Sequence, residues 1–334
     1  MNDEQHPTRR RTILWSSCCL VLCGACTVNT SLSMQEQYSL ERRAQNLLLR
    51  AARSPYDVVR ANSFEALVAV APDAGLSSFR DALDSDSPLV RFAACCSLGD
   101  LRDKASEPVF YKHMTDADPL VKLGAAYALC RIGVSAAARE LVSVMEQNPD
   151  EFLRSEAAYR IGRIGDRGAI ARLRSAARRE SSTRVRAFIQ TALALLGDED
   201  AVEQLMGYAN FDRATQLVAL QSLRELSDPR AREMLLVRLN RSEHLQTRLL
   251  AARALGAIGV DAGYRLAVDS LAFQADDPTE TMQVRTNAAL ALGEIGNPSA
   301  LSLLRRTVEN ETDPRTQVAV CRAICQIVDL PLGR

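Results

Sequence analysis

Residues 248–259 read Arg-Leu-Leu-Ala-Ala-Arg-Ala-Leu-Gly-Ala-Ile-Gly, and residues 285–296 read Arg-Thr-Asn-Ala-Ala-Leu-Ala-Leu-Gly-Glu-Ile-Gly. Each stretch opens on a basic anchor. Small residues follow three, four and six positions later, or close to it, aliphatics sit at seven and ten, and a glycine stands at eleven. Positions three, seven and ten share one face of a 3.6-residue helix. Alanine on that face lets a neighbouring helix come close, and glycine at eleven suits a chain leaving the helix with positive φ. The same ruler fits Arg60 with Leu67, Arg91 with Leu98, Lys122 with Leu129, Arg154 with Ile161 and Arg186 with Leu193. Two degenerate copies join Gln216 to Leu223 and Gln317 to Ile324. Successive anchors lie 30 to 37 residues apart, so the chain repeats one unit nine times.

A second apolar series follows each copy, as in Leu141 with Met145, Ile170 with Leu173, Val202 with Leu205 and Leu301 with Leu304. Turn chemistry then leads into the next helix at Asp86-Ser87-Pro88, Asp118-Pro119, Asp277-Pro278 and Asp313-Pro314. Proline in a first helical turn loses nothing, because its missing N–H would have no partner there. A helix–turn–helix unit of this size is too thin to bury its own face, so stacking must supply the core. The reading is an all-α chain, an α-solenoid.

The run Asp-x-Pro-x-Val-Arg-x-x-Ala-x-x-x-Leu followed by Gly-x-Ile-Gly resembles HEAT repeats of the phycobilisome-lyase-like type, from about Pro55 to Leu330. The resemblance implies a superhelical stack over residues 38–334, with about eight helix pairs and capping helices. The copies at Arg60, Gln216 and Gln317 depart most from the pattern and lack the glycine, and the first and last of these are placed as caps would be. Leu40, Ala44, Leu47, Leu48 and Ala51 predict an amphipathic helix capping the first repeat. The long step from Arg248 to Arg285 predicts about five extra residues in an acidic loop within Ala272 to Gln283. By the same resemblance, the anchor arginines form an internal ladder bonded to turn aspartates, here Asp86, Asp118, Asp150 and Asp313.

The N-terminus reads as an address. Arg9, Arg10 and Arg11 precede an apolar stretch from Ile13 to Leu22, which is short for a membrane span. Leu22-Cys23-Gly24-Ala25-Cys26 resembles a bacterial lipoprotein signal. That likeness implies removal of residues 1–25, lipid on Cys26, a tether over 26–37, and a palmitate-bearing protein facing the periplasm or cell surface. Thr27 in place of Asp favours the outer membrane by the same likeness. Arg10-Arg11-Thr12-Ile13-Leu14 also resembles a twin-arginine export motif, so the export route stays open.

Composition closes several routes. The 334 residues hold 41 basic and 41 acidic side chains, a balance that argues against a nucleic-acid binder. Three histidines leave little imidazole chemistry, and His113 and His244 lie four anchor steps apart. The deoxyhypusine hydroxylases, HEAT-repeat metalloenzymes, carry His-Glu pairs that this chain lacks. Cys95, Cys130, Cys321 and Cys325 take the ruler's small-residue slots, which predicts buried, inert thiols; a Cys96–Cys130 disulfide is left open. Nothing marks a nucleophile, phosphate loop or metal box, so no catalytic residue, metal or cofactor is expected.

One stretch breaks the neutrality. Ten arginines against three acids make residues 154–186 net +7. Tyr127 and Tyr159 stand five after their anchors, and Arg131 and Arg163 follow four later on the same helical face. Stacking would join these four in one patch suited to an acidic protein surface or an anionic envelope polymer, since Tyr and Arg recur in binding hot spots. The reading is a non-enzymatic, membrane-anchored interaction scaffold of the bacterial envelope, with a protein partner and no nucleic acid. Two rival classes are a chromophore-lyase-like enzyme subunit and a nucleic-acid-binding protein akin to the HEAT-like alkylpurine DNA glycosylases.

Overall fold

A computed structural model describes residues 32–329, and the structural statements below refer to them. Helix α1 (Met34–Ala51) opens the described chain behind a capping box, in which Ser33 and Glu36 satisfy each other's terminal amides. Helical pairs then follow. They are α2 (Asp57–Val70) with α3 (Pro72–Asp81), α4 (Pro88–Asp100) with α5 (Glu107–His113), and α6 (Pro119–Arg131) with α7 (Ala138–Gln147). Next come α8 (Glu151–Ile164) with α9 (Ile170–Arg179), α10 (Thr183–Leu195) with α11 (Glu199–Tyr208), and α12 (Arg213–Leu226) with α13 (Arg232–Arg241). The series ends in α14 (Leu245–Ala257) with α15 (Tyr264–Ser270), α16 (Pro278–Ile295) with α17 (Leu301–Asn310), and the single helix α18 (Pro314–Asp329). The all-α solenoid read from the sequence is the observed fold, and no strand occurs among the described residues.

Each even-numbered helix packs on the next even-numbered helix, and the odd-numbered ones lie outside them. The series does not stop at α18. That helix packs against α2 as any inner helix packs on its successor, and α1 covers α18 as its outer partner. Arg322 of α18 reaches Glu65 of α2 at 2.9 Å, and Arg43 of α1 reaches Glu309 of α17 at 2.8 Å. The solenoid is therefore a closed ring of nine pairs, each turning about 40° of the circle. The expected caps give way to a seam: α1 completes the last repeat rather than shielding the first. Its start at Met34 also replaces the last residues of the expected tether.

Small residues draw the inner helices together. A Cβ on Gly162 of α8 would stand 2.5 Å from Cα of Ala192 in α10. On Gly99 it would meet Cα of Ala128, and on Gly293 Cα of Ala323, each at 2.9 Å. All three glycines stand eight after their anchors and seat on an alanine six after the next. Backbone against backbone on the inside, with Leu141, Met145, Leu173, Leu205 and Leu304 buried beneath the outer helices, makes each pair a wedge.

The arginine ladder exists, with different acids. Arg91 donates from Nε and Nη2 to the Asp116 carboxylate, both at 3.0 Å, and from Nη1 to the Ser85 and Asp86 carbonyls. Arg154 grips Glu180 in the same way at 2.9 and 3.1 Å, and Arg285 pairs with Glu311 at 2.6 Å. Each acid sits two residues before an N-cap and accepts that residue's amide. Asp118, Asp150 and Asp313 act instead as the caps, taking amides of the next helix's first turn. The acidic insertion is likewise half helix. Only 272–277 is loop, and the remainder extends α16 to 18 residues from an Asp277 cap. No described helix is long and apolar enough to cross a membrane. Cys26 and the signal-like residues 1–25 lie outside the described residues.

Candidate functional site

Inside the ring lies a cavity of about 1080 Å³. Its wall comes mainly from the later turns of the inner helices, and its mouth is framed by their C-terminal residues, including Ser227, Gly259 and Gly296. Among the side chains that reach it, Glu65, Asp100, Tyr159, Arg163, Arg224, Glu225, Glu294 and Arg322 stand five, eight or nine after the anchors, and Arg160, Gln326 and Asp329 join them.

Tyr127, Arg131, Tyr159 and Arg163 do meet, as the repeat register requires, but they turn inward. Tyr127 is 0% exposed, and its hydroxyl donates to the Asp100 carboxylate. Tyr159 donates to Glu225 at 2.9 and 3.0 Å from its two carboxylate oxygens. Arg163 spans the lumen, with Nη2 2.9 Å from Asp100 of α4 and Nη1 3.0 Å from Glu225 of α12. Arg131 donates to the Arg163 carbonyl at 3.3 Å. These bonds skip over α6 and α10, as the tight curvature of the ring allows. The outward hot-spot patch expected from sequence is therefore corrected to a strut across the lumen, with both phenols and the Arg163 guanidinium already paired.

Arg160 fills the space beneath. It pairs with Glu156 at 2.6 Å, and its guanidinium carbon lies 5.2 Å from each of the Phe92, Tyr127 and Tyr159 ring centroids. Three ring faces thus help offset the burial of one cation. Burial first, then Asp100 for Tyr127 and Glu225 for Tyr159, hold both phenols well above their ordinary value. They stay neutral and serve as donors.

The opposite wall is less evenly paired. Arg224 lies 2.9 Å from Glu294, and Arg253 lies 3.8 Å from the same oxygen. Arg253 also donates to Asn287 at 3.2 Å. Burial first, then the neighbouring Arg224, bring the Arg253 guanidinium down to about 10, with Glu294 opposing. The sequence reading gave Arg224, Arg253 and Asn287 no role and set Glu294 aside as one of a lone acid pair with Glu309. Yet Arg253 and Glu294 stand five and nine after their anchors, in the columns drawn for the tyrosines and their arginines.

The remaining candidates stay apart. Cys95, Cys96, Cys130, Cys321 and Cys325 are all free thiols. Burial pushes Cys96 and Cys321 up to about 12 and Cys130 up to about 11, which agrees with packing rather than reactivity. His113 is buried in α5 with Nε2 2.9 Å from the Leu83 carbonyl, so Nε2 carries the proton; His244 is the N-cap residue of α14. Among the described residues no three His, Cys, Asp or Glu side chains cluster as metal ligands would.

The family profile for HEAT repeats matches residues 44–130, 76–160, 107–194 and 138–212, overlapping windows that span half of the chain. The chain belongs to the HEAT-repeat family. A profile for the PBS lyase HEAT-like repeat matches residues 284–310 of this HEAT-repeat protein. No curated protein matches it in sequence. Among solved structures, it is similar to the complex of CpcE and CpcF of phycocyanin lyase from Nostoc sp., at 18% identity and a TM-score of 0.43, covering 73% of this chain and 93% of that one. It is also similar to human deoxyhypusine hydroxylase in complex with glycerol, at 21% identity and a TM-score of 0.36, covering 77% and 95%. A third similar structure is Kap121p, at 12% identity and a TM-score of 0.36, covering 86% of this chain and 37% of that one.

Proposed function

We propose that this HEAT-repeat protein is a non-enzymatic adaptor of the bacterial cell envelope, lipid-anchored through Cys26, that binds an acidic protein surface on the outer side of the ring around α9. The observation that carries this reading is how the net +7 stretch divides. Arg154, Arg160 and Arg163 are spent inside, on the ladder and the strut. Arg167, Arg172, Arg174, Arg178, Arg179 and Arg184 are exposed on and beside α9. Glu146 engages Arg172 and Arg179, and Asp198 engages Arg174. Arg167, Arg178 and Arg184 have no acidic partner among the described residues and leave this face positive. Such a field raises the rate of encounter with an acidic partner and selects against basic ones.

The envelope location rests on the N-terminal residues, and it puts any partner in the periplasm or at the cell surface, with the outer membrane favoured. Two experiments test the two halves. Labelled palmitate should enter the wild-type protein and be absent from Cys26→Ser; incorporation in both, or in neither, ends the anchor. Crosslinking in intact cells should capture a protein with the wild type and lose it with Arg178→Glu/Arg184→Glu at an unchanged melting temperature. Undiminished capture by that variant contradicts the proposed surface.

A further inference from the structure

The lumen divides into a saturated half and an unsaturated half. Around Arg163, each carboxylate is fully engaged: Asp100 accepts from Tyr127 and Arg163, and Glu225 accepts from Tyr159 and Arg163. Across the cavity, three guanidiniums from α12, α14 and α18 share two carboxylates. Arg224 gives one hydrogen bond to Glu294, Arg253 gives one to Asn287, and Arg322 gives one to Glu65. A guanidinium carries five N–H donors and needs acceptor oxygens to satisfy them. Arg224, Arg253 and Arg322 outnumber Glu65 and Glu294 by one charge on this wall, although Asp100, Glu225 and Asp329 also line the cavity.

From this imbalance we propose that the ring binds a small polyvalent anion, one presenting carboxylate or phosphate oxygens, against the Arg224–Arg253–Arg322 wall of the lumen. Arginine forks match those oxygens two at a time, which a single protein carboxylate shared between two arginines does not achieve. Arg224 and Arg322 line the cavity itself, while Arg253 stands behind them, its side chain 9% exposed. The volume of about 1080 Å³ lies just above the usual span of small-molecule sites, roughly 300–1000 Å³.

Glu65 is the movable part. Its side chain is 72% accessible although it faces the interior of the ring, and Arg322 is its one hydrogen-bond partner. An entering anion takes over Arg322 and displaces Glu65 into the lumen, without disturbing Glu294. Loss of the Glu65 charge therefore favours the anion.

The site is independent of the adaptor reading, because it lies inside the ring and α9 lies outside. The test is calorimetric titration of the detergent-purified full chain with citrate and, separately, inorganic phosphate. Saturable one-to-one binding of either is expected; citrate alone assigns a polycarboxylate, and phosphate alone a phosphoryl group. Arg322→Gln should weaken it about tenfold or more, Glu65→Gln should tighten it, and Arg178→Glu/Arg184→Glu should leave it unchanged. Absence of saturable heat from both anions up to about 10 mM overturns the proposal. So does binding that is lost only with the outer-face variant. Should Arg322→Gln fail to fold, Glu65→Gln decides: an unchanged or weaker affinity contradicts the site.

Discussion

Replacing Tyr159 by Phe and Glu225 by Gln, singly and together, measures whether the tyrosine column is a strut or a surface. Tyr159→Phe removes a hydroxyl whose only acceptor is Glu225, at 2.9 to 3.0 Å. A hydrogen bond to a charged acceptor is worth about 1.5–3 kcal/mol, and Glu225 keeps Arg163, so the expected loss is about 1–2 kcal/mol. Glu225→Gln leaves Arg163 short of one counter-charge. Breaking a buried pair costs about 3–5 kcal/mol, but Arg163 is 33% exposed and retains Asp100, which brings the expectation to about 2–3 kcal/mol. Because the two changes remove one shared bond, the double variant should fall short of additivity by about 1 kcal/mol. Urea unfolding followed by far-ultraviolet circular dichroism reads all three values. Single variants within about 0.5 kcal/mol of wild type, adding without coupling, would refute the strut and return these side chains to the solvent.

Other consequences follow from the same packing. Gly162→Ala should destabilise by about 1–3 kcal/mol, because its Cβ would meet the Ala192 backbone at 2.5 Å and force α8 from α10. Gly207→Ala in α11, where a Cβ meets nothing within 4 Å, should stabilise by up to about 1 kcal/mol; matched melting curves would show packing to be irrelevant at both sites. The ladder predicts acid sensitivity. Burial would raise Asp116 and Glu180, but bonds from Arg91 and Arg154 outweigh it and hold both carboxyls below their ordinary values. The unfolded chain then binds protons more readily. Their contribution is complete above the ordinary carboxyl range, about 3.9–4.3, and is lost as the pH falls below it. Arg154→Gln should accordingly lose more stability near neutral pH than near pH 3. Parallel curves at both would show that this pair is not linked to protonation.

The repeat was legible because its ruler is local. Anchor, alanines, aliphatics and stop glycine all lie within one helix, and their spacing reports the helix face directly. Closure was not legible, because it sums a small angle over nine units, and no single copy states that angle. Its signal is nevertheless present at position eight, where Gly99, Gly162 and Gly293 admit the next helix's backbone. The atypical first and last copies read as caps for the same reason. Gln317 and Arg60 depart from the pattern, yet α18 and α2 still meet at Arg322 and Glu65. The tyrosine column was found from spacing, and its direction was misjudged. A face five and nine after the anchor meets solvent on a gently curved stack, and meets its own neighbours across the lumen once the stack closes. Asp100, Glu225 and Glu294 each stand nine after an anchor, where an acid in register with Arg131 and Arg163 signals inward pairing rather than a partner's chemistry.

The closed ring is the claim on which the strut, the lumen and the anion wall all depend. It is tested by the distance between nitroxide labels at Arg43→Cys and Glu309→Cys, read by pulsed electron–electron resonance. These residues are 266 apart in sequence and form a 2.8 Å ion pair across the seam. The native cysteines among the described residues are buried or half-buried and poorly ionised, so they compete little for the label. A single narrow distribution below about 20 Å is predicted, the pair separation lengthened by two label arms. An open stack of nine pairs, at roughly 10 Å per layer, would instead place the labels on the order of 80 Å apart. That result would contradict the account.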